Sequence, residues 1–284
     1  DKSLASWGGG RYAVWDKNEK KSWQGYELVT QKVEVSAGDE KKVETEVVRK
    51  YYDEFWVDPY SEEVWEYNVA IAKELIARGF DEIQFDYIRF PTDGTNLGNA
   101  SFRWQDAGMD KESALMSFLS YARKEIRAPI SIDIYGANGW YRTGARTGQD
   151  VELLSRYVDA ICPMFYPSHF EQSFLAQAPA EERPYRVFYY GSFRNAVIAH
   201  GRSIVRPWAQ AFYLNVSYDR AFYDGDYVQK QVYGVRDSID QGYTYWNNSG
   251  RYGDLRPDIG PTAPYAWKSP EAGSARVKPA FGGR

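Results

Sequence analysis

A chain of 284 residues is long enough to bury one large core, and a formal net charge of −4 argues against nucleic acid or an anionic membrane surface as partner. Aromatic residues make up 17% of the chain, with ten Trp and 24 Tyr against two His and one Cys. That balance supplies many flat faces for packing or for stacking on sugar rings, and excludes an internal disulfide and a Cys-rich metal site. No run reaches the roughly 18 consecutive apolar residues of a membrane span. The opening "DKSLASWGGG" has neither the charged start nor the apolar middle of a signal peptide, so any export signal is expected to have been removed upstream of Asp1.

In chain order, "WGGGRY" is glycine-rich but lacks the preceding strand and the Lys-Ser/Thr of a phosphate-binding loop, and reads as a loop. The charged stretch near 31–50, with Val-x-Val spacing about a central Gly-Asp, predicts an exposed hairpin. "EFWVDP" is a weak strand candidate. "SEEVWEYNVAIAKELIARG" has acids in its first turn, helical spacing through Val64, Ile71 and Leu75, and a stop at Gly79. A strand over Glu82 to Asp86 follows, then the helix "KESALMSFLSYARKEIR" and the strand "ISIDIYG". "GQDVELLSRYV" and "DAICPMFYP" repeat the pattern, as do "SIVRPWAQAFY", "DGDYVQKQVYGVRDSIDQG" and "GYTYWNNS". Alternation of helix and strand with short links predicts βα units around a parallel sheet, a TIM (β/α)8-type barrel. Five strong strands are too few to close it, so the first two or three βα units are expected to be missing from residues 1–252. The Pro-, Gly- and Ala-rich stretch 253–284 reads as an irregular extension.

In such barrels the chemistry lies at the C-terminal ends of the strands. Gln84 and Asp86 share one face of their strand by period-two alternation, which makes Asp86 its last inward residue. A structural ion pair with Arg89 is the competing reading. The next strand places Asp133 at the equivalent end, with Tyr135 one step beyond. Two carboxyl groups on neighbouring strands are the minimum equipment for glycoside hydrolysis, one protonated and one ionised. Gln84, Tyr87, Arg89 and Tyr135 are candidate substrate-binding residues around the pair. Tyr166, His169, Trp208, Gln210, Trp246 and Asn247 extend the set, because aromatic faces beside amides suit sugars. Cys162, inside an apolar run, reads as a small buried residue. Asp86, Asp93 and Asp106 lack metal-ligand spacing, and neither a metal nor a cofactor is expected, although a loop-bound calcium stays open.

The blocks "WVDPYSEEVWEYNVAIAKELIARGFDEIQFDYIRFPTDG", "GQDVELLSRYVDAICPMFYPSHF", "RPWAQAF" and "YWNNSGRY" resemble the DUF4015 family of glycosyl hydrolase domains. The resemblance runs from about Trp56 to Tyr252. It implies a barrel acting on a polysaccharide or oligosaccharide, with Asp86 and Asp133 as the catalytic pair, and a secreted, periplasmic or cell-surface setting. Relatives begin with further barrel strands, so an N-terminal fragment is expected to complete the fold. They also often carry an acid where this chain has Ala211. That departure keeps two alternatives open: a catalytically silent carbohydrate-binding barrel, and a structural or protein-assembly module.

Overall fold

The structure, a computed structural model, describes residues 10–37, 40–142, 144–253, 255 and 260. The expectation for 253–284 therefore falls almost wholly outside the described residues, as does the Gly-Asp expected at the hairpin centre.

The first part of the chain is antiparallel. Strand β1 (Trp15–Asp16) lies between β2 (Lys21–Ser22) and a later strand at Ala100–Ser101. Strands β3 (Tyr26–Ala37) and β4 (Glu40–Tyr51) form a two-stranded ribbon in register from Tyr26↔Tyr51 to Ala37↔Glu40. The ribbon pairs with no other strand among the described residues. "EFWVDP" does not join the parallel sheet: Val57 makes one antiparallel bridge with Ala13, and Val14 donates to the Trp56 carbonyl at 3.0 Å. The chain cannot extend further there, because the buried Asp58 carboxylate accepts from Tyr60 N (3.1 Å) and Trp104 N (3.1 Å) and fixes a turn.

From Glu62 onward the chain alternates. Helix α1 (Glu62–Ala77) has Glu62 and Glu63 in its first turn, favourable to the helix dipole, and ends where Gly79 adopts φ +100°. Strand β5 (Ile83–Phe85) follows, then β6 (Ala100–Ser101) and α2 (Lys111–Glu125), capped by Asp110 accepting from Ser113 N at 2.7 Å. Next come β7 (Ile130–Tyr135), the short helices α3 (Gly144–Thr147) and α4 (Val151–Leu154), and β8 (Ala160–Met164). Helix α5 (Arg183–Ala199) leads to β9 (Ile204–Val205) and β10 (Trp208–Gln210), which only Arg206 and Pro207 separate. Helices α6 (Ser217–Arg220) and α7 (Tyr227–Ser238) precede β11 (Thr244–Trp246).

Apart from β6, which pairs antiparallel with β1, the pairings from β5 through β11 are parallel and follow chain order: β5 with β7, β7 with β8, β8 with β9, and β10 with β11. Helices pack side by side in the same order, α1 on α2, α2 on α4, α4 on α5 and α5 on α7. Register explains the two faces. Ile83 pairs Ile130 and Ile132 pairs Ile161, all buried against the helices with Leu115, Leu119 and Ala122. Each such side chain contributes about 1.5–3 kcal/mol by burial. Gln84 pairs Ser131, and Asp133 pairs Cys162, on the opposite face. Cys162 is buried there and its thiol is pushed up to about 12 by desolvation, which suits packing rather than nucleophilic attack. These strands form two sheets, β5-β7-β8-β9 and β10-β11, so among the described residues β5, β9, β10 and β11 each keep one edge unpaired.

Candidate active site

Asp133 sits two residues before the end of β7 and is 6% exposed. Two side chains from different strands converge on its Oδ1: Trp208 Nε1 of β10 donates at 2.6 Å, and Gln84 Nε2 of β5 donates as well. The backbone beneath is held too. Gln149, almost wholly buried, donates through Nε2 to the Asp133 carbonyl (3.0 Å) and the Ile88 carbonyl (2.9 Å), and accepts from Tyr135 N (3.0 Å) through Oε1. The chain then turns at Gly136, where any Cβ would lie 2.2 Å from the Met164 carbonyl oxygen, so only glycine lets the ends of β7 and β8 approach this closely.

Burial raises the Asp133 carboxyl to about 7, against the opposing pull of the Trp208 and Gln84 donors. The neighbouring Asp86 carboxyl, within hydrogen-bonding reach, raises it further. Asp86 itself is exposed, just past the end of β5, and its Oδ1 accepts from Tyr87 N at 2.6 Å. The two sequence-predicted acids thus meet, one buried and one open to solvent.

Tyr87 has φ +53°, a left-handed backbone that costs a β-carbon-bearing residue about 1 kcal/mol. A tight turn follows, with Arg89 N donating to the Tyr87 carbonyl at 2.8 Å. This geometry carries Arg89 away from Asp86. The ion pair weighed from sequence does not form. The guanidinium lies instead over Trp56 (4.9 Å), Tyr87 (5.2 Å) and Tyr135 (4.9 Å), with Nη1 buried and without a hydrogen-bond partner. Asp86, Tyr87, Arg89 and Trp56 line a cavity of about 630 Å³ together with Phe85, Val64, Trp65, Leu115 and Phe118. Asp133 is not on its wall, so the cavity adjoins the acid pair from the side of the unpaired edge of β5.

On the other flank Trp246, 42% exposed, packs edge-on against Trp208 at 5.8 Å. Tyr166 meets Phe212 at 5.2 Å and His169 at 5.3 Å, and burial beside Asp133 and Asp86 pushes its phenol well up. Burial lowers His169, whose Nδ1 lies 3.2 Å from Ser168 Oγ. Tyr135 shares a hydrogen bond of 3.1 Å with Thr92 Oγ1.

Two predicted sugar ligands are already taken up by the protein. Gln210 is fully buried, accepting from Ser168 N (3.2 Å) and Ser168 Oγ (3.0 Å) and donating to the Phe212 carbonyl (2.9 Å). Asn247 donates to the carbonyls of Ala211 (2.6 Å) and Arg251 (2.8 Å), closing the turn after β11. Both N–H donors of Asn247 are spent on backbone carbonyls, and Gln210 is shut off from a hydroxyl by its burial. Gln84 likewise serves Asp133. Ala211 is buried at 6% exposure and its N–H donates to the Trp246 carbonyl at 2.9 Å. Sequence reasoning missed Gln149 and Trp56. Gln149 had only its place ahead of Asp150, which caps α4 by accepting from Leu153 N at 3.1 Å, to mark it, and Trp56 lay in a segment read as a strand.

Among the described residues no group of three His, Cys, Asp or Glu side chains is arranged to hold a metal, and no helix is long and apolar enough to cross a membrane.

The family DUF4015, described as "Putative glycosyl hydrolase domain", matches residues 22–252, and the chain belongs to it. No curated protein sequence matches the chain. Among solved structures, a hypothetical protein from Ruminiclostridium thermocellum is 31% identical over 47% of this chain and 53% of its own, with a TM-score of 0.33. The PgaB (BpsB) glycoside hydrolase domain from Bordetella bronchiseptica is 14% identical over 68% of this chain and 59% of its own, with a TM-score of 0.45. The spore cortex-lytic enzyme SleL from Bacillus megaterium is 12% identical over 66% and 51%, with a TM-score of 0.42. The chain therefore spans between 51% and 59% of the length of these structures.

Proposed function

We propose that this chain carries the catalytic pair of a glycoside hydrolase acting on a polysaccharide, with Asp133 as general acid and Asp86 as nucleophile. The observation that carries the reading is the contrast within one pair: a buried carboxyl raised to about 7 beside an exposed carboxyl in hydrogen-bonding reach. Two carboxyl groups whose environments differ in this way divide acid and nucleophile between them. Asp133 gives its proton to the glycosidic oxygen as that bond breaks, while an Asp86 oxygen attacks the anomeric carbon to form a glycosyl ester. Asp133, now ionised, takes a proton from water as that water displaces Asp86, which restores both side chains. This is the retaining course, which needs the two carboxyl groups roughly 5–5.5 Å apart, where an inverting pair needs roughly 6.5–9.5 Å to admit the water. Tyr87 and Trp246, both exposed, offer stacking faces on either side of the pair.

The reading extends to the fold. Six parallel strands in chain order, four in one sheet from β5 to β9 and two in β10–β11, flanked by an arc of helices, are consistent with part of a (β/α)8 barrel. A polysaccharide substrate also favours a setting outside the cytoplasm.

The test is release of reducing ends from a panel of polysaccharides. Asp133→Asn is expected to lower turnover on the cleaved glycan by roughly 10²- to 10⁴-fold, the usual worth of a general acid. Saturable glycan binding with no product from the wild-type chain would move the assignment to a silent carbohydrate-binding barrel.

A further inference from the structure

We propose that Trp208 and Gln84 are positioning residues that fix which oxygen of Asp133 carries the acidic proton: by both donating to Oδ1, they leave Oδ2 as the O–H presented to the leaving group. The inference rests on the assignment of Asp133 as general acid and adds the atom from which the proton departs.

An indole N–H can only donate, so Oδ1 is an acceptor whichever way the Gln84 amide is turned. The hydroxyl oxygen of a carboxylic acid is a poor acceptor, and two donors aimed at one oxygen make that oxygen the carbonyl partner. The proton is therefore confined to Oδ2. The two donors reach Asp133 from separate strands, Gln84 from the adjacent β5 and Trp208 from β10. Trp208 is itself held by its pairing with Thr244 of β11 and by the Trp246 ring. Gln149 fixes the Asp133 backbone from below. The carboxyl thus has one rotational setting, and its acidic edge is the one that remains for Asp86 and substrate. When the proton leaves, the same two hydrogen bonds stabilise the charge that develops.

The titratable groups facing Asp133 are Asp86 beyond β5, Cys162 on β8 and Tyr166 after β8. Burial pushes the thiol up to about 12 and the phenol above its ordinary range, so neither changes charge near neutrality.

The experiment needs no identified substrate for its main readout. In the ¹⁵N-labelled full chain, the Trp208 indole N–H resonance, assigned by its loss in Trp208→Phe, is expected to titrate with a midpoint near 7. That titration should vanish in Asp133→Asn. In Trp208→Phe the ¹³C-detected midpoint of Asp133 should move upward by about one pH unit, because a hydrogen bond to the ionised form is lost. Gln84→Met should move it the same way, which keeps the test open if the Trp variant does not fold. On aryl glycosides Trp208→Phe should slow poor leaving groups about tenfold or more and spare dinitrophenyl leaving groups, which need no proton. An indole resonance indifferent to pH between 5 and 9, or an unmoved Asp133 midpoint in both variants, overturns the inference and leaves Asp133 free to be the acid. Undiminished cleavage of poor leaving groups by Asp133→Asn removes the acid assignment itself, and this inference with it.

Discussion

The two flanks of the acid pair are built on opposite principles. Around Asp133 each donor is matched to an acceptor: Trp208 and Gln84 on the carboxyl, Gln149 on the backbone, Gly136 allowing the close turn. Around Asp86 the chain is exposed and takes a left-handed turn at Tyr87, and Arg89 is held by ring faces rather than by a carboxylate. A buried, hydrogen-bonded carboxyl is suited to keep a proton until it is needed. An exposed one beside an open cavity is suited to meet the substrate. The difference shows that role in such a pair is set by the shell around each acid rather than by residue type.

Removing the exposed acid tests that contrast most severely. Asp86→Asn should lower turnover by roughly 10²- to 10⁴-fold while leaving glycan affinity largely in place. It should also lower the Asp133 pKa, because the neighbouring charge that opposes ionisation of Asp133 is gone. A carboxyl titration followed by NMR reports both acids in one experiment. If the Asp133 midpoint does not fall, the two groups are not coupled and the division of labour loses its basis.

The pH dependence of stability isolates the buried flank without any substrate. Folded Asp133 keeps its proton to about 7, whereas the unfolded chain releases it near 3.8. Between those values the folded state binds more protons, so stability falls as pH rises from about 4 to about 7 and then levels off. The loss should be roughly 2–4 kcal/mol from this group. Urea unfolding at several pH values should show the slope, and Asp133→Asn should flatten it. A slope unchanged in the variant would assign it to other carboxyl groups.

Much of this arrangement was legible from period and spacing. The βα rhythm from Glu62 onward gave the parallel order, and alternation along "EIQFD" and "ISIDI" placed the two acids on a common face at neighbouring strand ends. Membership of the family agrees with the expectation of a glycosidase. What could not be read was the consumption of amides. Gln210 and Asn247 have the composition of sugar ligands, but backbone carbonyls and Ser168 claim them, and such contacts depend on loops that no pattern specifies. Trp208 was anticipated as a stacking platform. Its indole N–H turned out to matter as much as its face, because the ring lies across β8 from the carboxyl it serves. The Asp86–Arg89 pair failed for a comparable reason: a positive φ at Tyr87, invisible in sequence, redirects the arginine.

Arg89 offers the smallest effect and the finest discrimination. Its guanidinium is held by three rings at 4.9–5.2 Å, and Nη1 is buried without a partner. Stacking of this kind contributes about 0.5–2 kcal/mol, depending on how far the cation is desolvated. Arg89→Leu should therefore lower stability by about 1 kcal/mol in urea unfolding. Arg89→Lys should recover only part of it, since an ammonium cannot lie flat on three faces. With a role confined to supporting the Asp86 loop, both variants should leave the leaving-group dependence unchanged, because that dependence belongs to Asp133. A collapse of glycan affinity with stability intact would instead assign the unpaired Nη1 to the substrate, and the exposed flank would then supply a directed hydrogen bond as well as a nucleophile.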